Sequence, residues 1–60
     1  MNVRVGIVED DPRLRGAFAD LVGSAQGMTC VAACGSGEEA LRVLGGETPD
    51  VVLMDLNLPG

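Results

Sequence analysis

The sequence predicts an α/β protein built on a parallel sheet, and three features predict it. Short apolar runs rich in β-branched residues alternate with segments whose apolar residues recur at helical spacing. The connections between them are only a few residues long. Acidic residues directly follow two of the runs, at the ends that a parallel sheet gathers on one rim. The order β-α-β-α-β implies right-handed crossovers between strands.

Residues 3–8 (VRVGIV) form a nearly continuous apolar run, the pattern of a strand buried on both faces of a parallel sheet. Asp11 followed by Pro12 reads as an N-cap with proline at the first helical position. From there Leu14, Ala17, Phe18, Leu21, Val22 and Ala25 make one apolar helical stripe, with Gly27 as the stop. Residues 28–33 (MTCVAA) read as a second strand built from small residues. Ser36, followed three residues later by Glu39, has the spacing of a capping box. The helix it opens carries Ala40, Leu41, Val43 and Leu44 and is expected to end at Gly45 and Gly46. Thr48, Pro49 and Asp50 turn the chain into a third strand at residues 51–54 (VVLM), so Asp50 belongs to the turn, on the rim opposite the other acids.

Composition bounds the function. Sixty residues hide only about 60% of the surface of the unfolded chain, which makes a marginal independent core. Cys30 and Cys34, in an extended stretch, lie roughly 13 Å apart, too far for a disulfide. They read as small buried thiols in a reducing cytoplasm. With no histidine and no second cysteine pair, a cysteine metal site is disfavoured. No apolar run is long enough to span a membrane, and acids interrupt the N-terminus where a signal peptide would stay apolar. A net charge of −5 argues against direct nucleic-acid contact by this segment.

Glu9, Asp10 and Asp11 follow the first strand, and Asp55 follows the third. With a spatial order of 2-1-3 these two strands are neighbours, and a crevice opens at their carboxyl ends. Two carboxylates about 5 Å apart repel by roughly 3 kcal/mol at an effective dielectric of 20. Such a cluster protonates one member or binds a cation. Magnesium suits oxygen donors of this kind and leaves room to share a phosphate. Asp11 alone is most simply the helix cap. No G-x-G-x-x-G or P-loop pattern follows the first strand, which disfavours nucleotide cradling. Phosphatases of the haloacid dehalogenase type resemble D-x-D-x-T, and in Asp55-Leu56-Asn57-Leu58-Pro59 the second acid is missing.

Taken together, VRVGIVEDDPRLR, GSGEEAL and PDVVLMDLNLPG resemble the receiver domain of two-component response regulators over the whole chain. The resemblance implies a flavodoxin-like, doubly wound fold, here the partial unit β1-α1-β2-α2-β3 with strand order 2-1-3. It implies that residues 1–60 are the N-terminal part of a receiver domain. The remaining strands and helices would be absent, with the hydroxyl residue ending strand four and the lysine ending strand five. By the same resemblance Asp55 is the phosphoacceptor, served by a sensor histidine kinase or a phosphotransfer protein. Mg²⁺ is held by Asp10, by Glu9 through water, by Asp55 and by the backbone carbonyl of Asn57. Asp11 and Ser36 remain helix caps. The expected role is a cytoplasmic signalling phosphoacceptor rather than an enzyme, since self-phosphorylation would need residues this chain lacks. D-L-N-L-P-G looks most like regulators whose DNA-binding output domain follows the receiver. The competing expectation is a non-phosphorylated, receiver-like interaction module or inactive fragment that self-associates through the exposed edge of the third strand.

Overall fold

The computed structural model describes residues 2–54 of the chain. Its elements are β1 (Val3–Val8), α1 (Pro12–Ser24), β2 (Met28–Cys34), α2 (Gly37–Glu47) and β3 (Val51–Met54). The three strands form one parallel sheet in the order β2-β1-β3. The expected α/β architecture, its element order and its strand order are all present.

β1 sorts its side chains between two cores because successive residues point to opposite faces. Val5 and Ile7 pack with Val22 of α1, joined by Val3, Ala19 and Cys30. Val8 packs with Cys34 and Ala40 of α2, joined by Ala32 and Leu44. The two helices therefore cover opposite faces of the sheet. Cys30 and Ala32, two residues apart on β2, serve different faces. The cause is a shift in register after Cys30: Val5 pairs with Cys30, but Gly6 pairs with Ala32. One extra residue, Val31, flips the alternation.

Gly6 permits the closest approach in the core. A Cβ there would lie 2.8 Å from the Leu44 Cδ2 atom. The helix ends are specified locally. The Asp11 carboxylate accepts from the Arg13 amide at 2.9 Å, and Ser36 Oγ accepts from the Glu39 amide at 3.1 Å. The return arm of this second cap reaches one residue further than a capping box requires: Glu39 Oε2 accepts from the Gly35 amide at 3.0 Å.

Three local expectations are corrected. α1 ends at Ser24, before Gly27, which takes a left-handed φ of 81° in the turn into β2. α2 continues through Gly45 and Gly46 to Glu47, because Thr48, at φ 47°, supplies the left-handed cap instead. The apolar stripe of α1 is also rolled. Val22 and Ala19 face the sheet, whereas Leu14, Phe18 and Leu21 remain 46%, 39% and 72% exposed.

β3 is attached by its ladder to β1 and by a latch at its start. The Asp50 amide donates to the Arg4 carbonyl at 2.7 Å, and the Arg4 amide donates to Asp50 Oδ2 at 2.9 Å. The Arg4 guanidinium also reaches the Glu47 carbonyl, tying the end of α2 to the same place. Neither helix packs on β3 among the described residues.

Candidate functional site

The rim at the carboxyl end of β1 begins with Glu9, which is only 3% exposed. A carboxylate so buried needs polar partners. Glu9 Oε2 accepts from the Asp11 amide at 3.1 Å. Its main chain is held at both polar groups: the amide donates to the Cys34 carbonyl at 2.9 Å, and the carbonyl accepts from Arg15 Nη1 at 3.0 Å. Asp10, the next residue, is exposed. One acid is thus turned into the protein and its neighbour into solvent, at the end of the strand buried deepest in the sheet.

Around Glu9 the rim is crossed by groups from both helices. Arg15 comes from the second turn of α1 and reaches over Gly35, where a Cβ would stand 2.7 Å from Arg15 Nη1. Glu39, from the first turn of α2, holds Gly35 from the other side through its amide. Beneath them lies Cys34, 1% exposed. Burial pushes its thiol above the ordinary value; the nearby Glu39 carboxylate adds to the shift and the Arg15 guanidinium opposes it. The thiol is a packing group, since nucleophilic cysteines need the opposite shift.

Of the expected site residues, Glu9 and Asp10 stand side by side on the rim, and Asp11 and Ser36 cap the helices that start there. Asp55 and Asn57 lie outside the described residues. Among the described residues, no three His, Cys, Asp or Glu side chains converge as a metal site. Glu9 and Asp10 contribute only carboxylate oxygens, the hard donors that Mg²⁺ takes, so the donor chemistry on the rim fits that ion. Arg15 and Gly35 were not legible as site residues. The signal is Arg15's place on the helical row of residues 15, 19 and 22, whose Ala19 and Val22 pack on the sheet.

Among the described residues, no helix is long and apolar enough to cross a membrane. No solved structure matches the chain. The response regulator receiver domain profile matches residues 5–60. The chain is 34% identical over 56 residues to the probable C4-dicarboxylate response regulator DctR of Bacillus subtilis, covering 93% of this chain and 25% of the relative. Against the protein-glutamate methylesterase/protein-glutamine glutaminase of Nitrosospira multiformis it is 37% identical over 57 residues, 95% of this chain and 16% of the relative. Against the positive alginate biosynthesis regulatory protein of Pseudomonas aeruginosa it is 41% identical over 59 residues, 97% of this chain and 24% of the relative. The chain spans about a quarter or less of the length of these relatives.

Proposed function

The chain belongs to the response regulator receiver domain family, and on that premise we propose that it accepts a phosphoryl group on Asp55 from a histidine kinase or phosphotransfer protein. The observation that carries the reading is the parallel register of β1 and β3, in which Val8 pairs with Met54. Glu9 follows one partner in sequence and Asp55 the other. Neighbouring strand ends therefore lead into the acids that the chemistry requires.

In the proposed step an Asp55 carboxylate oxygen forms a bond to phosphorus as the bond from phosphorus to the donor's imidazole nitrogen breaks. The electron pair returns to that nitrogen, which takes up a proton. Asp10, Asp55, the Asn57 carbonyl and, through water, Glu9 would hold Mg²⁺, which when bound neutralises charge on the incoming phosphoryl group. Glu9, fixed at its amide and carbonyl, keeps the rim's backbone in place, and exposed Asp10 is free to meet an ion from solvent. The proposed setting is the cytoplasm. A transcriptional activator of Pseudomonas putida among the relatives favours a DNA-binding output domain, with DNA contact made outside this acidic segment.

Incubation of the protein with Mg²⁺ and acetyl phosphate tests the reading. Intact mass should show a phosphoryl adduct on the parent and none on Asp55→Asn. Asn57→Ala should keep the adduct, because the position offers its carbonyl rather than its side chain. An adduct that persists in Asp55→Asn would sink the assignment. A second reading, a non-phosphorylated module that self-associates, is favoured by the uncovered face of β3. It predicts no adduct on the parent, and association that Asp55→Asn leaves unchanged.

A further inference from the structure

We propose that Arg15 is a positioning residue for the acidic rim, and that Gly35 is kept free of a side chain to admit it. The inference rests on the reading of Glu9 and Asp10 as Mg²⁺-holding residues and deepens it. Arg15 Nη1 donates to the Glu9 carbonyl at 3.0 Å. The Glu9 amide is already committed to the Cys34 carbonyl at 2.9 Å. The peptide units on either side of Glu9 are therefore fixed, one by β2 and one by α1. Asp10 begins at the peptide unit whose carbonyl Arg15 holds, so the direction of both carboxylates depends on that bond.

The bond in turn depends on Gly35. A Cβ at that position would lie 2.7 Å from Arg15 Nη1 and 3.7 Å from its Cζ. No real contact is that short, so a methyl group there must move the guanidinium. Gly35 has no left-handed φ, and the atom in the way ends a flexible side chain. Gly35→Ala thus displaces Arg15 without straining the backbone. Glu39 holds the Gly35 amide at 3.0 Å, so the loop itself cannot simply swing aside.

Charge and position make opposite forecasts, which makes the proposal decidable. Were Arg15 only a positive charge beside the acids, removing it would strengthen cation binding, and Gly35→Ala, which keeps the charge, would do little. As a positioning residue, Arg15 weakens Mg²⁺ binding when it is removed and also when it is displaced. Partners one step out from a metal's ligands typically matter by tenfold or more in affinity.

The test is Mg²⁺ titration, by calorimetry and by amide NMR, of the protein with its complete natural sequence and no phosphodonor. Arg15→Met and Gly35→Ala are each expected to weaken Mg²⁺ about tenfold, and the double variant no further than Arg15→Met alone. Both should shift the Glu9 amide resonance before any metal is added. Gly35→Ala should not lower the thermal midpoint, and Gly16→Ala, whose Cβ would meet nothing within 4 Å, should bind Mg²⁺ like the parent. Unchanged binding by Gly35→Ala, tighter binding by Arg15→Met, or a double variant weakened by the product of the two would overturn the proposal. If the parent itself binds no Mg²⁺, the functional reading fails and the proposal with it. Binding by the parent that both variants retain defeats the role of Arg15 alone.

Discussion

Val8 has a strand neighbour on each side, and the two could hardly differ more in environment. On the β2 flank it pairs with Cys34, 1% exposed; on the β3 flank it pairs with Met54, 55% exposed. Both flanks are apolar, and both join β1 through parallel ladders. They differ in what lies above and below. α1 and α2 pack over β1 and β2, and neither reaches β3 among the described residues. All four residues of β3 are exposed. On the α2 side an open groove of about 400 Å³ remains, lined by Val8, Ala40, Leu41, Leu44, Val52 and Met54. Apolar sequence nominates a strand for burial; the layers around it decide whether burial happens.

The largest expected effect sets one flank against the strand it borders. Ile7 is fully buried, and its register partner Leu53 is 43% exposed. Ile7→Ala should cost about 2–5 kcal/mol, whereas Leu53→Ala should cost under about 1 kcal/mol, as befits a site that creates no cavity. Urea unfolding of the two variants measures both. Equal losses would break the comparison and mean that the β3 flank is covered in solution. Dependence of the Leu53→Ala loss on protein concentration would then identify the cover as a second copy.

This contrast also explains what the sequence could tell. The apolar runs VRVGIV and VVLM located β1 and β3 because a strand's residue pattern is local. The exposed edge of β3 was legible from the strand order 2-1-3; that its faces also stay uncovered was not, since this depends on where the helices come to lie. The roll of α1 has the same origin. Val22 of the expected stripe lies against the sheet beside small Ala19, while the larger Leu14, Phe18 and Leu21 stay 46%, 39% and 72% exposed, so the stripe is buried along one edge only. Ending α2 at Gly45 failed because glycine permits a left-handed cap without compelling one, and Thr48 took that conformation. Glu9 and Asp10 were legible because acids at the end of an apolar strand are conspicuous. Arg15 was not, because its partner is a backbone carbonyl, which leaves no trace in residue type.

A smaller effect should appear one row along the same pair of strands. Gly6 pairs with Val52, and both face α2. A methyl group at Gly6 would meet Leu44 Cδ2 at 2.8 Å, so Gly6→Ala should overpack the core at a cost of about 1–3 kcal/mol. Val52→Ala, beside the open groove, should lose less. Combining Gly6→Ala with Leu44→Ala sharpens the point: the pair should destabilise by less than the sum of the singles, because the second change removes the atom the first collides with. Strict additivity would mean that Leu44 and β1 are not in the contact described.

The smallest effect belongs to Cys34, the covered counterpart of Met54. Burial, reinforced by Glu39 and opposed by Arg15, pushes its thiol above the ordinary value. The sign follows from which state loses the proton first. In the unfolded chain the thiol ionises at roughly pH 8.5, before it does so in the fold, so stability is full below that pH and declines as pH rises through the folded value. Cys34→Ala should flatten this alkaline decline, and unfolding curves taken across mildly alkaline pH would register the difference. The flanks should also separate chemically. Dilute peroxide should oxidise exposed Met54 on β3 while buried Cys34 on β2 stays reduced. Oxidation of Cys34 as fast as Met54 would mean that the β2 flank opens as readily as the β3 flank already stands open. The helices would then not be what distinguishes the two sides of β1.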